Sequence, residues 1–107
     1  MRRREIFGLN HPRGALLVSH LGSKFDETVA TDVIAQPRYP KFSVTVVLRQ
    51  LNGNGGALDI SGRVILALAG FRAPDCKKMW IVAERYLGET AGLWQYAVDV
   101  ATETMLV

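Results

Sequence analysis

The chain has 107 residues, 49% of them hydrophobic and 21% charged, with 13 basic and 10 acidic side chains and a formal net charge of +3. That length makes one domain, able to bury roughly two-thirds of its unfolded surface. A single cysteine, Cys76, excludes a disulfide framework and a cysteine-based zinc site, and no apolar run approaches the roughly 18 residues of a membrane span.

Part of the basic excess sits in Arg2-Arg3-Arg4, and without it acidic and basic residues balance. A nucleic-acid interface needs basic residues gathered on one folded face, which a neutral body does not offer. The apolar stretch after the arginines carries Glu5 and is too short for a signal peptide, so the chain reads as intracellular.

Residues 1–12 read as an N-terminal arm and residues 13–107 as a single domain. The arm has no sustained period, though Ile6, Phe7 and Leu9 give it apolar positions to pack on a neighbour. Residues 14–22 are bounded by glycines and apolar on both faces, the pattern of a well-covered strand. A polar turn around Phe25 follows. Residues 28–36 alternate weakly and predict a second strand ending at Pro37, with Pro37-Arg38-Tyr39-Pro40 as an extended turn. Residues 41–50 give the clearest strand: Phe42, Val44, Val46 and Leu48 on one side, Ser43, Thr45, Val47 and Arg49 on the other.

The centre of the chain is a helix of roughly four turns, opened by Asn52-Gly53-Asn54-Gly55-Gly56 and closed by Gly70. Asn54 is the expected N-cap. Ala57, Ile60, Val64, Ala67, Leu68 and Phe71 form one apolar stripe, and Leu58, Gly62, Ile65, Leu66 and Ala69 a second. Only Asp59 and Arg63, four apart, mark a wet face. A helix apolar nearly all round is buried on more than one side.

After a loop over residues 72–78, two strands finish the chain. Residues 79–87 put Trp80, Val82 and Tyr86 on one face, and residues 88–92 form a five-residue hairpin loop. Residues 93–105 alternate over a long run, with Trp94, Tyr96, Val98 and Val100 toward the core and the Gln95/Asp99 face toward solvent or a partner. The order β-β-β-α-β-β predicts an α+β fold: a largely antiparallel sheet with one main helix packed on a face. One sheet covers one side of that helix, and the second stripe is left for something else.

No constellation reaches an enzyme. The Gly53–Gly56 loop lacks the ending of a P-loop and the dinucleotide spacing, so its glycines are turn residues. His11 and His20 lack partners for a metal site, and a Cys76–His20 thiol pair lacks a third, orienting group. Glu84 and Asp99 could face each other across the last hairpin, where surface charge is the plain reading. Trp80, Tyr86, Trp94 and Tyr96 read as aromatic core packing. No catalytic, cofactor or metal residue is assigned.

The assembled pattern does resemble a family. Gly55-Gly56-Ala57-Leu58, Ala69-Gly70-Phe71, Glu84-Arg85-Tyr86 and Trp94-Gln95-Tyr96, in this order, resemble the tail terminators of contractile-tailed, Mu-like phages. The resemblance implies a structural virion protein, assembled in the host cytoplasm, whose hexameric ring caps the tail tube, stops its polymerisation and joins the tail to the neck. Its implied partners are further copies of itself, the tube protein, and sheath and neck or head-completion proteins, with DNA only passing through the lumen and no membrane. A closed ring uses two different patches of each subunit. The helix's outer stripe and the far sheet face are the candidates, giving Leu58, Arg63, Ile65, Leu66, Gln95 and Asp99 as interface residues. The alternative reading is a small α+β nucleic-acid-binding module with its arginine arm on phosphates.

Overall fold

The computed structural model describes residues 14–27 and 35–106. It is an α+β fold with the elements β1 (Gly14–Phe25), β2 (Gln36–Leu48), α1 (Ala57–Leu68), β3 (Trp80–Thr90), β4 (Leu93–Ala101) and β5 (Thr104–Leu106). The sheet order is β1-β2-β4-β3, with β5 alongside the start of β2, and the described pairings are antiparallel. The N-terminal arm and most of the strand predicted over residues 28–36 lie outside the described residues.

β2 is central because its β-branched run Val44–Val47 tolerates burial on both faces. Register aligns Val46 with Leu16 on one side and Tyr96 on the other, and Leu48 with Gly14 and Trp94. Val46, Val47, Ala97 and Val98 are fully buried. The helix closes the core from one side: Ala57, Ile60 and Val64 pack with Val46, Leu48, Leu51, Trp94 and Tyr96. It lies over β4, β2 and β3 and leaves β1 uncovered.

β2 is longer than predicted, and Pro37 and Pro40 lie inside it rather than in a turn. A proline lacks only the donor, and both still offer carbonyls, Pro37 to the Asp26 amide and Pro40 to the Thr102 amide. Pro40 falls where β2 changes partners, between the stretch paired with β5 and the stretch paired with β4. The predicted strand over 93–105 is broken at the same level. Thr102 donates its hydroxyl to the Lys77 carbonyl, and the Lys77 amide donates to the Glu103 carbonyl. The loop after the helix thus wedges between β4 and β5.

Two turns also differ. The last hairpin turns on two residues, Ala91 (φ 54°) and Gly92 (φ 81°), both left-handed as the tightest hairpins require. At the helix start Gly56, with no capping side chain, replaces the expected Asn54. Asn54 instead accepts a hydrogen bond from Arg63, and the helix runs just twelve residues. Gly70 does close it in the left-handed conformation (φ 80°), its amide donating to the Met79 carbonyl.

Candidate interaction surfaces

The amides that lead into the helix from the glycine loop are already engaged within the chain. Gly53 and Gly55 take positive φ, and the Gly55 amide donates to the Asp59 carboxylate at 2.8 Å. The Gly56, Ala57 and Leu58 amides donate to the carbonyls of Gly53, Gln50 and Leu51. Asp59 is itself the anion at the helix N-terminus. The Gly55 hydrogen bond holds its pKa below the ordinary carboxylate value, helped against slight desolvation by Arg63.

Glu84 and Asp99 do not meet, because the register aligns Glu84 with Val98 and Ala83 with Asp99. Residues one step apart in a strand face opposite ways. Glu84 turns to the helix and accepts a hydrogen bond from Ser61, whereas Asp99 points to the far face and takes two from Arg85, at 2.9 and 3.1 Å. Burial opposes the charged form of Asp99, but the hydrogen bonds and charge of Arg85, with Lys41 nearby, outweigh it and its pKa falls. The expectation of an open Gln95/Asp99 face is therefore corrected. Asp99 is 8% exposed and Gln95, aligned with Val47, is half-buried. Small residues at Ser43, Ala97 and Ala101 let the backbone bury there.

The aromatic group also divides. Tyr86 stacks with Tyr96 (5.2 Å) and Trp94 (6.4 Å) on the helix side, while Trp80, aligned with Ala101, is on the other face. There Trp80 lines a cleft of about 670 Å³ with Leu21, Lys24, Tyr39, Lys41 and Val82. His20 stacks on Phe42, and Cys76 sits half-buried in the loop after the helix, its carbonyl held by Arg72. His11 lies outside the described residues.

The helix's second stripe can be oriented from its contacts. Ile60 and Val64 lean toward β2. Ser61, about 100° further round, reaches Glu84 on β3. Leu58 and Ile65 lie about 50° beyond Ser61 in the same sense, with Leu66 further still. Leu58 and Ile65 therefore look out past β3, and Leu66 stands on the crest of the helix, away from the sheet. Leu58 is 46% exposed and Leu66 81%, while Ile65 is half-buried. Tyr86, 54% exposed, lies on the same side of the sheet, on β3. Arg63 is exposed and tied to Asp59 at 3.1 Å.

A second exposed apolar area went unforeseen. On β1, Leu16 (54% exposed) and Val18 (62%) share the helix-side face, in register with Val46 and Val44. Among the described residues, β1 is an edge strand without a charge from Gly14 to Ser23, whereas the opposite edge, β3, carries Glu84, Arg85 and Glu89 and two irregularities of register. Charges and bulges guard an edge, and β1 lacks them until the shift between His20 and Gly22. The uncharged run was visible in the sequence. Its exposure follows from the helix stopping short of β1.

Among the described residues, no helix is long and apolar enough to cross a membrane. The family model described as Gp37 protein matches the chain over residues 2–107. No functionally curated protein matches it at a significant level.

Proposed function

Since a chain matched from residue 2 to residue 107 belongs to the Gp37 family of phage proteins, we propose that it is a structural, non-enzymatic tail terminator, working in the virion as a ring on the end of the tail tube. One observation carries this reading: the helix is apolar on a flank its own sheet does not reach, which leaves Leu58 and Leu66 in solvent. Large apolar side chains exposed together mark a surface meant for a partner. In a ring that partner is the next copy, and Ile65, half-buried at the base of the flank, lies at the seam.

The mechanism is one of shape. A ring whose lower face fits the last ring of tube subunits occupies the surface on which the tube grows. Its upper face, being different, offers no such surface again and is free for neck proteins. DNA passes through the lumen without being read.

The test is the native mass of the full chain by light scattering, with a hexamer expected. Added to polymerising tube protein, the chain should stop growth. Ile65→Asp should give a folded, less stable monomer that no longer stops it. A monomer that binds DNA with an affinity falling steeply with salt would replace this reading by the nucleic-acid module.

A further inference from the structure

Resting on the ring reading, we propose that the seam is a head-to-tail contact in which the α1 flank of one copy, Leu58, Leu66 and Tyr86, seats on the β1 strip of the next, Leu16 and Val18. The occupant of each patch is thus a second copy of this chain.

Three observations point to this pairing. First, the patches are different and well separated: Leu58 and Tyr86 lie toward β3 and Leu66 on the helix crest, whereas Leu16 and Val18 are on β1, at the other end of the strand order. Two different patches pair head to tail and build a ring when the rotation between copies closes, whereas a patch that pairs with itself stops at two copies. Second, their shapes fit. The helix stands proud of the sheet over β4, β2 and β3, and β1 is the step it leaves beside itself. A ridge of leucines meets a recessed strip of Leu16 and Val18, and neither patch brings an unpaired charge. The charged residues beside the ridge are engaged, Asp59 with Arg63 and Glu84 with Ser61.

Third, the area is of the right order. At roughly 200 Å² for a fully exposed large side chain, the exposed fractions of these five residues present on the order of 600 Å² of apolar surface. Interfaces are roughly 57% apolar, so this scales to about 1,000 Å² in all, the lower bound of a biological contact, which neighbouring residues would extend.

The experiment uses the full chain and two variants, Val18→Glu and Leu66→Glu. Both positions are exposed in the subunit, so each variant is expected to keep the wild-type circular dichroism spectrum. Each alone should be monomeric where the wild type is a ring. Mixed in equal amounts they should form a one-to-one heterodimer and nothing larger, because one supplies an intact ridge and the other an intact strip. The heterodimer also shows that both variants are folded. A ring persisting in either variant, or a mixture that stays monomeric, overturns this pairing while the wild-type ring leaves the function standing. A wild type that is monomeric at every concentration overturns both.

Discussion

Arg85 holds Asp99 through two hydrogen bonds, at 2.9 and 3.1 Å, across the β3–β4 ladder on the sheet face away from the helix. The pair is lopsided: the Arg85 side chain is half exposed and that of Asp99 nearly buried. Removing Arg85 strands a carboxylate, whereas removing Asp99 returns a guanidinium to water. Arg85→Ala should therefore cost about 1–2 kcal/mol, discounted for the solvent around Arg85. Asp99→Ala should cost less, and the double variant no more than Arg85→Ala alone. Because the folded pKa of Asp99 is lowered, the pair's contribution is fully present above the unfolded carboxylate value of about 3.9 and fades as pH falls through the folded value. Urea unfolding at pH 7 and pH 3 should show a larger Arg85→Ala deficit at the first than at the second.

Ser61 is the helix's fully buried polar residue, and its hydroxyl donates to Glu84. Its size matters as much as its bond, since it is fully buried between the helix and the sheet, beside Glu84 of β3. Ser61→Ala loses a hydrogen bond whose acceptor can turn to water, and gains helix propensity, so it should cost less than about 1 kcal/mol. Ser61→Leu must push helix and sheet apart and should cost about 1–3 kcal/mol. Thermal unfolding of the two variants separates size from bonding. A Ser61→Ala loss as large as that of Ser61→Leu would show that the bond dominates.

What could be read in advance was whatever depends on near neighbours. The Phe42/Val44/Val46/Leu48 alternation, the Ile60/Val64 stripe and the Gly70 stop each follow from local period or backbone freedom. Asp99 was misjudged because alternation alone put it outside, while its burial depends on small residues on β2 and on which β3 residue the register brings beside it. Pro37 and Pro40 suggest a turn because each lacks a donor, yet both lie in β2, where their carbonyls accept from Asp26 and Thr102. The surfaces divide in the same way. Leu58 and Leu66 were legible as a second stripe, but Leu16 and Val18 stand open because α1 ends its reach at β2. That is a fact of tertiary packing, and strand pattern carries no trace of it.

Two aliphatic residues of similar kind should respond in opposite ways. Val46 is fully buried between the helix and the sheet, and Val46→Ala should cost about 2–3 kcal/mol through lost contact and a residual cavity. Leu66 is mostly in solvent, and Leu66→Ala should leave the stability of the isolated subunit within about 0.5 kcal/mol. Denaturant unfolding at concentrations too low for assembly measures both. A large loss at Leu66 under those conditions would mean that its flank is covered within the subunit.

The last contrast lies between two glycines of the helix region. A methyl group on Gly56 would come within 2.6 Å of the Asn52 carbonyl oxygen and 2.7 Å of that of Leu51. Both are backbone atoms fixed by the turn that launches the helix, so they cannot yield as a side-chain tip would. Gly56→Ala should cost about 2 kcal/mol or more through strain where the helix begins. Gly62 sits inside α1 with open space where its methyl would go, and Gly62→Ala should stabilise the subunit by about 0.5–1 kcal/mol, the usual gain of alanine over glycine in a helix. Gly62 also belongs to the outer stripe, beside Ile65 and Leu66. Under the proposed ring that open space would face the next copy, so a methyl filling it should raise the melting temperature of the monomer while weakening assembly. If Gly62→Ala strengthened both, the seam would lie elsewhere on the helix.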